Sequence, residues 1–186
     1  MSLRPNFAGF QLASLRSLSG CKDPDKRDAL VATYDRLVEP HEEQTRVAAH
    51  AWIDRLVSGE LAAAPPAIEP EELQHVVIAL AQHEQELVPS TSLYWEAFMG
   101  ALYQRPAGAS PAERQLARYF LQGRPLFGDA IQTSWAYYAW LPHDQLDQLE
   151  RLMQHERYRA LYDHAAARQW LATIIARELD LFFYAY

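Results

Sequence analysis

Arg124 sits between two glycines in the stretch LQGRPLFG, residues 121–128, six residues after Arg118 and shortly before the aromatic run Trp135, Tyr137, Tyr138 and Trp140. A guanidinium presents a rigid fork of donors that fits a carboxylate or a phosphate. Tyrosine and tryptophan add flat apolar faces with a polar tip, and both are enriched where proteins bind other molecules. Arg118, Arg124, Tyr137, Tyr138 and Trp140 are therefore the candidate binding residues. A plainer reading competes and is preferred: the glycine-bounded segment connects a helix to a strand, and the aromatic run is that strand.

Other reactive residue types are present without the spacing that chemistry needs. There is no phosphate-binding GxxxxGK[ST] loop, no GxGxxG and no GxSxG. His83 opens HEQEL, which lacks the second histidine of a zinc-binding HExxH. His75 and His83 are eight residues apart, more than two turns along one helix, too far to share an ion. His41 and His50 are nine apart across an uncertain turn. Asp163 and His164 are adjacent, and neighbours on a helix point different ways; Asp163 is expected to cap the helix beginning at His164. Asp144, after Pro142 and His143, suits a helix start. Asp144 and Asp147 share a face, as solvated acids often do. Cys21 is the single cysteine, with no base placed beside it. We expect no catalytic residue, no metal site and no cofactor.

The elements that would position these residues are mainly helical. A short strand is expected near Phe7–Ala13, followed by a helical turn ending at Gly20. Asp23 and Pro24 begin a helix with Leu30, Val31, Tyr34, Leu37 and Val38 on one stripe. Pro40 ends or kinks it. A second helix carries Val47, Ala51, Ile53, Leu56 and Val57 inward and closes at Gly59. ELAAAPPAIEP is a loop or internal hinge at 60–70. Leu73, Val76, Val77, Leu80 and Leu87 mark the next helix, with Glu71 and Glu72 at its positive end. Leu93, Phe98, Leu102 and Tyr103 anchor another.

Ser110, Pro111 and Glu113 form a capping box that starts a helix ending at Gly123. The stretch 134–140 reads as a strand stopped by Pro142, and Leu146, Leu149, Leu152 and Met153 then repeat at helical spacing. Trp170, Leu171, Ile174 and Ile175 mark the last helix. LDLFFYAY is a final strand, too apolar to be left as an exposed tail. The fold class is α+β: a predominantly helical single domain, residues 1–186, with three or four short strands and no internal repeat.

Composition bounds the function. The 186 residues carry 17 Lys and Arg against 24 Asp and Glu, a formal net charge of -7. That balance argues against nonspecific binding to nucleic acid. Apolar runs are too short to span a bilayer, and MSLRPNFAGF lacks the apolar core of a secretory signal. We expect a cytoplasmic protein.

Three pieces, YFLQGRPLFG, WAYYAWLPHDQLDQLERLMQHERYRALYD and LDLFFYAY, occur in an order that resembles the YfbM-like family of small bacterial proteins. The resemblance covers roughly residues 115–186. LPHDQ stands where the family has a threonine-proline-acid-acid helix start, and Leu141 cannot cap as threonine would. The resemblance implies an α+β domain without a settled activity, of a kind suspected to include immunity and other binding proteins, and it supplies no catalytic residues. The expected function is noncatalytic binding of a protein partner, or self-association. The alternative is a small hydrolase or transferase whose acids and histidines only the fold brings together.

Overall fold

The computed structural model describes residues 5–37, 43–61, 70–84, 87–104, 110–124, 127 and 137–185. Its elements in chain order are β1 (Pro5–Phe10), α1 (Leu12–Arg16), α2 (Pro24–Leu37), α3 (Glu43–Ser58), α4 (Pro70–Glu84), β2 (Val88–Pro89), α5 (Tyr94–Tyr103) and α6 (Pro111–Gln122). There follow β3 (Tyr137–Leu141), a 3-10 turn (His143–Gln145), α7 (Leu146–Met153), α8 (Glu156–Arg159), α9 (His164–Ala176) and β4 (Asp180–Ala185). The protein is α+β and predominantly helical, with a small four-stranded sheet. By contacts the chain divides into two compact units. The first is Met1–Phe10, Val88–Arg124 and Tyr138–Tyr186; the second is Gln11–Leu87 and Pro125–Tyr137.

The first unit is built on the sheet, in the order β2-β1-β4-β3. The C-terminal strand β4 is thus interior and runs antiparallel to β1, from Pro5↔Ala185 to Phe10↔Asp180. Side chains alternate across a strand, so Phe7, Gly9, Leu181 and Phe183 share one face. On that face Phe7 stacks on Trp95 of α5 at 4.2 Å and meets Phe120 of α6 and Phe183. The Trp95 indole N–H donates to Ser90 Oγ at 2.7 Å, so its one polar atom is satisfied. Phe10 and Phe182, on the opposite face, are buried as well. A strand buried on both faces reads as a continuous apolar run, and LDLFFYA is one.

Gly9 is the close-packed point of this sheet. A Cβ there would lie 2.7 Å from Ile174 Cγ2 of α9 and 3.1 Å from Leu179 Cδ1. Gly9→Ala should therefore destabilise the protein by about 1–3 kcal/mol through overpacking. Gly100, on the exposed side of α5, has nothing within 4 Å of such a Cβ. Gly100→Ala should stabilise by roughly 0.5–1 kcal/mol, because the unfolded chain loses freedom. Urea midpoints of the two variants should move in opposite directions, and a shift of the same sign in both would refute this account of the α9–sheet contact.

The second unit is a helical cluster of α1 to α4. Asp23 Oδ1 accepts from the Asp25 and Lys26 amides at 3.0 and 3.2 Å, the cap that its sequence position implies. Gly59 turns the chain out of α3 at φ 83°, and the amides of Gly20 and Lys22 occupy the carbonyls of Leu56 and Val57. These bonds satisfy acceptors that a helix end leaves open. Leu73, Val76, Val77 and Leu80 line the buried side of α4.

Several expectations are corrected. The first strand ends at Phe10, not Ala13; Leu12 opens α1, where Leu12, Leu15 and Leu18 are buried at helical spacing. Val47 is 58% exposed, and α3 turns Ala49 and Trp52 inward with Ile53, Leu56 and Val57. Leu93 is 66% exposed just before α5, whose buried anchors are Tyr94, Trp95, Phe98, Met99 and Leu102. Leu87 lies beyond the end of α4. Pro40, Val38, most of the loop at 60–70 and the residues 134–136 fall outside the described residues. No helix among the described residues is long and apolar enough to cross a membrane.

Candidate functional site

The first unit carries a cleft of about 510 Å³ between the start of α6 and the end of α7. Ser110, Pro111, Ala112, Glu113 and Gln115 line one side; Gln148, Arg151 and Leu152, with His155 beyond them, line the other. The capping box sets the first wall. Ser110 Oγ accepts from the Glu113 amide at 3.2 Å, and Glu113 Oε2 accepts from the Ser110 amide at 2.6 Å. On α7, Leu146, Leu149, Leu152 and Met153 are buried, which turns Gln148 and Arg151 outward.

Glu113 is the chemical centre of this wall. Its side chain is 9% exposed, and Oε1 accepts from Arg157 Nη2 at 3.1 Å. His155 Nε2 lies 3.9 Å from the same oxygen. Burial alone would raise the carboxyl's pKa. The two hydrogen bonds from Ser110 and the charges of His155 and Arg157 outweigh it and hold the group below its ordinary value. Arg157 also donates to the Tyr158 hydroxyl and lies over that ring. Burial pushes the Tyr158 phenol up, against the lowering effect of Arg157. The carboxylate is therefore an ionised anchor, and the outward groups of the cleft are an amide, a guanidinium and an imidazole.

The second unit holds a polar seam between its helices. Tyr34 of α2 donates to Glu72 of α4, and burial first, then that contact, pushes the phenol upward. His75 Nδ1 lies 3.6 Å from Glu72. Thr33 Oγ1 is 3.0 Å from His83 Nδ1, and His50 Nε2 is 2.8 Å from Asp35. Tyr34–Glu72 and Thr33–His83 tie α2 to α4, and His50–Asp35 ties α3 to α2, whereas His75 meets Glu72 only within α4 and its Nδ1 has no hydrogen-bond partner among the described residues. Among the described residues no group of three His, Cys, Asp or Glu side chains could hold a metal ion.

The residues proposed from sequence lie on α6, just after it and on β3, and none of those whose side chains are described lines the cleft. Arg124 lies over the Trp140 ring at 3.7 Å and the Tyr119 ring at 4.5 Å. Its amide donates to the Tyr138 carbonyl at 3.0 Å and its Nη1 to the Trp140 carbonyl at 3.3 Å. Residues two apart on a strand direct their backbone groups to the same edge. Arg124 thus covers two carbonyls of β3, an edge strand of the described sheet, and blunts an edge open to pairing. Tyr138 and Trp140 are buried, Tyr138 near Phe182 and Trp140 under Arg124. Arg118 is exposed and its Nε donates to Gln122 within α6. The side chain of Tyr137 lies outside the described residues. The fold brings Arg124, Tyr138 and Trp140 together and leaves Arg118 apart.

Comparison of the chain with family models, curated proteins and solved structures yields no match. The site must be read from its own geometry.

Two more sequence expectations meet that geometry. Asp163 does precede α9, but its carboxylate does not cap that helix. It accepts from Ser92 Oγ at 2.8 Å and from the Leu93 amide at 3.1 Å, holding the start of α5 instead. A left-handed backbone, φ 62°, turns the side chain away from its own helix. The candidate aromatics Tyr138 and Trp140 are interior, as are Trp52, Trp95, Tyr34, Tyr94 and Tyr158, and Tyr162 is the large aromatic most exposed among those described. Sequence reasoning found Glu113 through its cap but missed its role in the cleft. Arg157 lies 44 residues further on, and no local pattern announces that contact.

Proposed function

We propose that this chain is a noncatalytic binding protein, bacterial, cytoplasmic and YfbM-like, which holds a protein partner at the cleft between α6 and α7. The observation that carries the reading is the commitment of Glu113. Its oxygens are occupied by Ser110 and Arg157, and it is held ionised below its ordinary pKa. A general acid or base needs a proton affinity near the working pH and a free face toward the substrate. Glu113 offers neither, while Gln148 and Arg151 offer contacts. An immunity-like role follows if the partner is toxic on its own.

The hydrolase or transferase reading rests on His155 beside Glu113. At 3.9 Å the pair is beyond hydrogen-bond reach, and the group within reach of Glu113 is the Arg157 guanidinium, a donor with no acceptor atom.

The test is retention of a partner from lysate by the immobilised full chain, compared with Ala112→Trp. Ala112 is exposed in the first turn of α6 and lines the cleft, so a tryptophan there fills it without entering the core. One stoichiometric protein held by the wild type and lost from the folded variant is the expected result, with the solution mass of the complex as the check. The same protein held equally by both would move the binding surface elsewhere and overturn the proposal.

A further inference from the structure

We propose that the cleft takes a carboxylate: a single negative charge on a short apolar stem, seated on Arg151 and Gln148. This rests on reading the cleft as the binding surface. The first argument is a charge balance. Glu113 is matched by Arg157 at 3.1 Å. Arg151 is exposed, and its guanidinium has no ion pair or hydrogen bond among the described residues. Asp147, one turn earlier on α7, forms no ion pair with it among those residues. One uncancelled positive charge therefore faces the cleft.

The second argument is geometry. Gln148 stands three residues before Arg151, so both side chains project from one side of α7, and its amide also has no partner among the described residues. A carboxylate accepts two parallel bonds from a guanidinium and a third from an amide. A phosphate monoester would set two charges against one cation, with the Glu113 carboxylate behind it. Pro111, Ala112 and Leu152 supply an apolar lining for a stem. A volume of about 510 Å³ falls within the range of small-ligand sites. A free organic acid and the C-terminal carboxylate of a peptide present the same group.

The experiment is a titration of isotopically labelled full chain at low salt, followed by amide and side-chain shifts. The probes are butyrate, butyramide as its uncharged counterpart, inorganic phosphate, and one short apolar peptide with a free or an amidated C-terminus. Butyrate should give saturable shifts at the Gln148 side-chain amide, Arg151 Nε and the Ala112 backbone. Butyramide should bind at least about tenfold more weakly, the loss of one charge-assisted contact. Arg151→Gln should abolish the difference between acid and amide while its spectrum elsewhere is unchanged. A free peptide binding more tightly than butyrate assigns the carboxylate to a chain terminus; equal binding assigns it to a free acid.

Equal responses to butyrate and butyramide, tighter binding of phosphate, or no shift at the cleft with any probe would overturn the inference. Partner retention by the wild type and its loss from Ala112→Trp would still stand in those cases, so the two failures are distinguishable.

Discussion

Replacing Phe7 by alanine should cost about 3–5 kcal/mol of stability, the range for deleting a large aromatic from a packed core. Phe7 is fully buried on β1 and meets three other rings, Trp95, Phe120 and Phe183, from α5, α6 and β4. Those rings are held by different elements, so the hole cannot close by the shift of one neighbour, and residual cavity adds to the lost transfer energy. Total stabilities of about 5–15 kcal/mol make this loss large enough to unfold a marginal chain.

Urea denaturation should show a much lower midpoint with an unchanged slope. Phe7→Leu, which keeps most of the volume, should cost clearly less than Phe7→Ala. Equal losses for the two would mean that the ring contacts are not what holds β1 in place. Phe120 connects this core to function, because it lies on the buried side of the helix whose first turn carries Glu113.

Three of the four strands and most helices were legible because their signals are local, whereas β2 and the strand order, set by pairing between distant segments, were not. The Ser110–Pro111–Glu113 box, the Asp23–Pro24 start, Gly59 and the leucine spacing of α7 each encode a boundary within a few residues. The terminal strand was legible because an apolar run has to be covered. Errors came where two periods coincide: Leu12 fits a strand by alternation with Phe10 and a helix by spacing with Leu15 and Leu18, and burial of the leucine stripe decides for the helix.

The cleft was not legible for a different reason. Arg151 and Gln148 look like any polar face of an amphipathic helix. They matter only because α6 is opposite and because Glu113 is already matched by a residue far along the chain. Asp163 shows the same limit. Its position before α9 predicts a cap, and tertiary contact with Ser92 and Leu93 redirects the side chain. Arg124 was singled out as a candidate contact for a partner's carboxylate or phosphate, and the partners described for it in the fold are intramolecular. They include two carbonyls of β3, the Gln145 side chain and two rings, which the sequence could not distinguish from a ligand.

The Glu113 ion pair should be visible as a pH-dependent stability term. Its folded pKa lies below the ordinary 4.5. A carboxyl with a depressed folded pKa contributes stability that is fully present above its unfolded value and is lost as pH falls through the folded one. Glutamine is also accepted at this position of a capping box, so Glu113→Gln removes the charge and keeps the cap. At pH 7 it should cost about 1.5–3 kcal/mol, the value of hydrogen bonds to a charged group. The part-exposed side chain of Arg157 keeps the penalty below that of a fully buried pair.

Glu113→Ala should lose roughly 1 kcal/mol more, because it also removes one half of the capping box. The difference between wild type and Glu113→Gln should shrink below about pH 4.5 as the wild-type carboxyl protonates. Urea midpoints of the two proteins measured from pH 7 to pH 3 test this directly. A gap that stays constant across the range would assign the loss to packing and not to charge. It would also remove the reason for treating Glu113 as a fixed anion, on which the binding character of the cleft depends.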